Sequence, residues 1–239
     1  MSENESQRVG VILGTERSTP MEWWVAIEPN AYLQLDDVVV VRTQVPGVGE
    51  VKLSGVVDIV RASHEGSRFE GDVFLAERGV LPVQLARSAH VITTRVEPEC
   101  WVPPNPGDMV CRVRSTERER ALYFDGMEER LVAGVSRDGL PVYIDLSFLD
   151  GRRGAHVNIS GVSGVATKTT YASFLLYGLF HSGILGREAP NTKAIIFNVK
   201  GEDLLFLDRP NARLDEEQRK RYGAIGLQPG PFQSQGESI

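Results

Sequence analysis

The sequence predicts a mixed β and α/β chain: a β-rich first half of barrel or sandwich type, then a unit built on a parallel sheet. Three observations carry this. From residue 9 to about residue 96, short β-branched or aromatic runs alternate with turn residues. After residue 155 the pattern lengthens to strand, glycine-containing loop, apolar helix, strand. Between them, Val102-Pro-Pro-Asn-Pro-Gly107 interrupts any ladder, because its prolines remove donors and fix φ. The expected organisation is a β domain over 1–102, connecting strands and a short helix over 103–150, and a third segment over 151–239.

Six runs in the first half read as strands: residues 9–13, 22–27, 37–42, 53–61, 72–76 and 86–96. Their separators, such as Ser18-Thr-Pro20, Pro46-Gly-Val-Gly49 and His64-Glu-Gly-Ser67, are turn formers. Val38-Val-Val-Val41 is apolar on both faces, which places it centrally or in a closed barrel, since such an edge left open invites aggregation. Adjacent residues of a strand face opposite sides, so Trp23 and Trp24 are expected to divide between core and surface.

Beyond the prolines, residues 117–124 read as a short helix, and residues 131–135 and 141–146 as strands. Arg137-Asp-Gly139 between those strands is the strongest hairpin signal in the chain. Ala155-His-Val-Asn-Ile-Ser160 then leads into Gly161-Val-Ser-Gly-Val-Ala-Thr-Lys-Thr-Thr170 and an apolar helix over 171–180. Phe174, Leu175, Gly178 and Leu179 form its expected buried face. A second buried strand over 193–199 completes a βαβ unit, which requires a parallel sheet. Asp215-Glu-Glu-Gln-Arg-Lys-Arg221 reads as a charged surface helix, and the Gln/Gly/Pro-rich end from Leu227 to Ile239 reads as unpaired.

Twenty-six basic against 32 acidic residues give a net charge of −6, so no global positive field draws the chain to nucleic acid or anionic lipid. Two cysteines, Cys100 and Cys111, are too few for a disulfide scaffold and lack zinc-site spacing. They read as inert thiols. The start of the chain is polar and acidic and no apolar run is long enough for a membrane span, so the expected location is the cytoplasm. His64, His90 and His181 are scattered without ligand spacing, and His156 reads as a structural residue.

The candidate chemistry lies in the loop between strand and helix. A phosphate needs backbone N–H groups that can turn inward, and small residues permit that; Gly161, Ser163, Gly164 and Ala166 are small. A lysine at the helix start reaches β and γ phosphates and the next hydroxyl ligates Mg²⁺, roles open to Lys168 and Thr169. The spacing departs from G-x-x-x-x-G-K-[ST]: counting back from Lys168 puts Thr167 and Val162 where glycines belong. Read from Gly161, the loop is one residue longer. Spacing alone therefore leaves two readings open, a nucleotide site and a plain glycine-rich βα loop with capping residues.

His156-Val-Asn-Ile-Ser-Gly-Val-Ser-Gly-Val-Ala-Thr-Lys-Thr169, the apolar helix and Ala194-Ile-Ile-Phe-Asn-Val-Lys-Gly-Glu-Asp203 together resemble the start of the ATPase domain of HerA-like proteins, relatives of the FtsK and VirB4 pumps. Asn198-Val-Lys-Gly-Glu202 is similar to that family's D-x-K-G-E turn, with Asn where Asp is common. The family carries an N-terminal HAS-barrel, where the strands of the first half stand here. The resemblance implies an N-terminal β-barrel followed by an incomplete RecA-like P-loop α/β domain. It further implies a hexameric ring that binds ATP and Mg²⁺ and moves double-stranded DNA, often beside a nuclease.

Carried over residue by residue, the backbone of Gly161, Val162, Ser163, Gly164, Val165, Ala166 and Thr167 would cradle the phosphates. Lys168 would hold the β and γ phosphates and Thr169 would ligate Mg²⁺, with Thr170 the hydroxyl in reserve if the longer loop shifts the register. Lys200 and Glu202 fall near the site in the family without an assigned role. A second acidic strand end, a sensor and a neighbour's arginine are missing. Asp145 and Asp150 precede the loop, and Asp208 follows the Lys-Gly-Glu turn too closely. The expectation is the front part of a longer protein, binding nucleotide without hydrolysing it well alone. The alternative is a non-enzymatic β-barrel adaptor or assembly module with a degenerate loop; a kinase-like enzyme is disfavoured, because no acceptor or lid motif accompanies the loop.

Overall fold

In the computed structural model, which describes residues 6–151, 153–154, 156–161, 167–197 and 204–232, the valine-rich runs of the first half close into a six-stranded antiparallel barrel. Its strands are β1 (Ser6–Ile12), β2 (Glu22–Ile27), β3 (Val38–Val45), β4 (Gly49–Glu65), β5 (Gln84–Glu97) and β6 (Met109–Val113). They run in the order β1-β2-β5-β4-β3-β6, with β6 closing onto β1. Alternation decides which side chains go inside. Val39 and Val41 of β3 meet Val9, Trp23, Val25, Leu53 and Val91 in the core. Val38 and Val40 on the other face pack with Val113 and with Ala121 of α2 (Ser115–Ala121). The four-valine tract is therefore buried on both faces, as its composition predicted.

The tryptophans divide the same way. Trp23 is fully buried and its indole Nε1 donates to Thr93 Oγ1 at 3.1 Å, while Trp24 lies on the outer face beneath the Arg61 guanidinium, 4.1 Å from the ring centre. Two glycines let strands approach closely. A Cβ at Gly10 would lie 2.1 Å from the Ala26 carbonyl oxygen, and one at Gly55 would lie 2.5 Å from Val91 Cγ1.

One expected strand is corrected. Residues 72–76 form a helix, α1 (Asp72–Glu77), because Asp72 Oδ2 accepts from the backbone N–H groups of Arg68 and Phe69 and Phe-Leu-Ala-Glu suits a helical turn. The sixth strand is β6 instead. The proline-rich segment is the corner that delivers it: Gly107 donates to the Ile12 carbonyl, Ile12 donates to that of Asp108, and Asn105 Nδ2 donates to Thr43 Oγ1 at 2.8 Å. The strands β4 and β5 outrun their other partners. Their pairing continues to Glu65 opposite Gln84, whereas β3 reaches only Val56 and β2 only Ser88, leaving a two-stranded arm that ends in α1.

The chain divides into two units, Met1–Gly126 and Met127–Ile239. The second begins with a hairpin of β7 (Arg130–Val135) and β8 (Pro141–Asp145), turned at Gly139, whose φ of 75° suits glycine. On it lies α3 (Thr167–His181): Gly178 sits against Leu131 and Val132, and Tyr171 donates to the Ala133 carbonyl at 2.9 Å. The charged stretch is α4 (Glu216–Ala224), started by a capping box between Asp215 and Gln218.

Two further expectations differ from the structure. Residues 156–161 and 193–197 belong to no strand, so the described residues contain no parallel sheet; Ile195 and Phe197 are 81% and 85% exposed. The sheet face that α3 covers is the β7–β8 hairpin, which the helical pattern alone could not distinguish from a parallel pair. Residues 227–232 after α4 are held rather than unpaired, and residues 233–239 lie outside the described residues. Leu227 is buried, Gln228 accepts from the Tyr177 hydroxyl at 2.6 Å, and Phe232 meets the Tyr177 ring edge-on at 5.3 Å. No helix among the described residues is long and apolar enough to cross a membrane.

Candidate functional site

Packing fixes the axis and the start of α3. Gly178 lies beside β7, Phe174 meets Tyr222 of α4 at 6.4 Å, and Leu175, Leu176 and Leu179 line a cavity of about 780 Å³. Val157 and Ile159, two residues apart on the stretch before the loop, line the same cavity. The expected alternation of that stretch is therefore present, facing the helix, although no ladder forms there.

The loop runs from Gly161 to the first residue of α3, Thr167. Val162, Ser163, Gly164, Val165 and Ala166 lie outside the described residues, as does the Thr167 side chain. Of the predicted site residues, Gly161 and Lys168 are brought together: Lys168 Nζ donates to the Gly161 carbonyl oxygen at 2.9 Å. The ammonium thus spans the mouth of the loop. Thr169 and Thr170 are exposed in the first turn, which contains no acidic residue. An anion there would meet the positive helix end, one ammonium and hydroxyl groups, with no carboxylate of that turn opposing it. This donor set fits a phosphate, and the adjacent hydroxyl of Thr169 fits a hard cation that seeks oxygen ligands.

The acidic candidates have varied settings. Asp145 Oδ1 accepts from the Ser147 N–H at 3.0 Å, Asp150 lines the apolar cavity, and Asp208 is exposed. Lys200 and Glu202 lie outside the described residues. No cluster of three or more His, Cys, Asp or Glu side chains suited to a metal ion occurs among the described residues.

Sequence reasoning missed the barrel's polar surface. His90 is buried, with Nδ1 2.6 Å from Asp58 Oδ1 and Nε2 3.5 Å from Glu22 Oε2, and its ring lies 4.9 Å from that of Trp24. The signal was the register, since Trp24 and His90 are cross-strand partners, and a register is not visible in separate runs. Farther along β5, Glu97 meets Lys52 at 2.9 Å, Arg120 at 2.8 Å and Arg95 at 3.2 Å. Burial raises its pKa, but hydrogen bonds from Lys52 and Arg120 and the surrounding charges outweigh that and hold the carboxyl below its ordinary value. Both cysteines are free thiols; burial pushes the Cys111 thiol up, which suits an inert role.

No protein-family model matches the chain, and a search of curated proteins finds no relative.

Proposed function

We propose that the second unit binds a nucleoside triphosphate with Mg²⁺ at residues 161–170, as the nucleotide-binding part of a HerA-like, RecA-type ATPase. The observation that carries this reading is the Lys168–Gly161 bridge: the ammonium is held across the loop mouth, at the start of a fifteen-residue helix. Exchanging the Gly161 carbonyl for phosphate oxygens replaces a bond in which only the donor is charged by one in which donor and acceptor carry opposite charges, adding Coulomb attraction to the hydrogen bond. Nucleotide therefore competes favourably for the lysine. Thr169 is the residue to hold the metal, whose chemistry when bound is to neutralise and orient the phosphates.

Binding rather than turnover is the property proposed for these residues, because the resemblance calls for an acidic strand end after the loop, and Asp145 and Asp150 precede it while Asp208 follows the Lys-Gly-Glu turn too closely. By the same resemblance, the wider proposal is a hexameric ring moving double-stranded DNA, with the barrel as the assembly or docking part. The test is equilibrium titration of a fluorescent ATP analogue with Mg²⁺ against the wild-type chain and Lys168→Ala. Loss of the lysine should weaken binding roughly 10- to 100-fold. Equal weak signals from both proteins would instead favour the adaptor reading, in which the loop is only a connection.

A further inference from the structure

The β4–β5 arm ends in an apolar surface that nothing in its own unit covers. Helix α1 buries none of its residues, and Phe69, Val73, Phe74, Leu75, Val80 and Leu85 are all exposed, Phe69 by 74% and Val80 by 70%. From these exposures the side chains at the tip leave on the order of 600 Å² of apolar surface uncovered. Its rim is charged with both signs: Arg68 and Arg78 against Glu70, Asp72 and Glu77. That balance does not suit an anionic lipid surface or a nucleic-acid backbone, both of which select a basic rim.

The charges are also ordered. Glu70, Phe74 and Arg78 stand at four-residue spacing, and Gly71 (φ −69°, ψ −15°) and Arg78 (φ −81°, ψ 0°) extend near-helical angles beyond α1 at each end. They therefore form one stripe, acidic before the ring and basic after it. A half-turn about an axis through Phe74 brings Glu70 opposite a second copy's Arg78, and Arg78 opposite its Glu70. The stripe is its own complement. Complete burial of two such tips would cover about 1,200 Å² together, a ceiling that reaches the lower end of specific interfaces.

We propose that the arm tip is a self-association surface, on which α1 of one copy packs antiparallel on α1 of a second about a two-fold axis at Phe74. This surface belongs to the barrel unit and is independent of the nucleotide loop. The test is sedimentation of the full chain without nucleotide, over about 1–100 μM. The expected result is concentration-dependent pairing that F69S/F74S weakens at least about tenfold, with far-UV circular dichroism unchanged because both rings are exposed. E70K and R78E should each weaken pairing, and the double variant E70K/R78E should restore it, since the swapped stripe is again self-complementary. Lys168→Ala should pair as the wild type does. Three results each overturn the proposal: a wild-type chain that stays single throughout, leaving a different protein as the occupant; F69S/F74S pairing as tightly as wild type; or a double variant no tighter than the single ones.

Discussion

Replacing Thr93 by valine removes the hydroxyl that accepts from the Trp23 indole without changing the volume of the site. Trp23 is fully buried and Thr93 nearly so, with Nε1 and Oγ1 3.1 Å apart. The variant leaves a buried N–H unsatisfied, a loss of about 1–3 kcal/mol. Trp23→Phe deletes both the N–H and one ring, and should cost about 2 kcal/mol, less than the 3–5 kcal/mol of truncation to alanine. In W23F/T93V no donor is left stranded, so the double variant should fall short of the sum by about 1 kcal/mol or more. Trp23, Trp24 and Trp101 are the three tryptophans and all lie in Met1–Gly126, so fluorescence during urea unfolding reports the barrel alone. With a slope of about 2 kcal/mol per molar, a 2 kcal/mol loss moves the midpoint by about 1 M. A Thr93→Val loss below about 0.5 kcal/mol, or strict additivity, would refute the argument that this hydrogen bond holds the core indole.

Two further outcomes follow from local geometry. Gly178→Ala should stabilise the second unit by about 0.5–1 kcal/mol, since the new Cβ meets Leu131 Cδ1 at 3.6 Å and the helix gains propensity; Gly55→Ala should cost the barrel about 2–3 kcal/mol through its 2.5 Å approach to Val91. Thermal melts followed by far-UV circular dichroism and by tryptophan fluorescence separate the two, and equal signs would count against the packing described. Glu97 has a folded pKa below its ordinary 4.5, so its contribution is fully present above that value and is lost as pH falls through the lower folded one. Glu97→Gln should flatten the acid side of the barrel's stability curve, measured by urea midpoints from about pH 5 downwards. An unchanged slope places the acid sensitivity in other carboxylates.

The barrel was legible because its signals are local and redundant. Val38–41 announced a doubly buried strand, and Trp23-Trp24 announced a strand with one inner and one outer ring. Residues 72–76 misled because a short apolar run has no period long enough to separate strand from helix, and the turn that the Asp72 carboxylate holds by accepting from the Arg68 and Phe69 N–H groups settled it. Met109–Val113 stood too close behind the prolines to be read as the closing strand, although a proline corner is compatible with resumption of pairing. The apolar helix was legible from residue type, although it begins at Thr167, four residues before the expected start at Tyr171. The partner of α3 was not, because an amphipathic face specifies that something apolar covers it and leaves open which sheet does.

The composition of α3 itself bears on the nucleotide reading. Along its length the helix is engaged on several sides: β7 at Tyr171 and Gly178, Tyr222 at Phe174, the cavity at Leu175, Leu176 and Leu179, and the C-terminal segment at Tyr177. Those choices are explained by packing. Its first turn is different, since Thr169 is exposed and lies past the capping position. Threonine there costs about 0.5 kcal/mol per residue relative to alanine, because χ1 freedom is lost against the preceding turn. Selection for helix stability alone does not favour such a residue beside a lysine whose ammonium reaches back to the Gly161 carbonyl. Hydroxyls and an ammonium at a positive helix end do suit phosphate and its metal. That chemistry is what the proposed nucleotide site would use, and the Lys168→Ala titration is the measurement on which the functional reading turns.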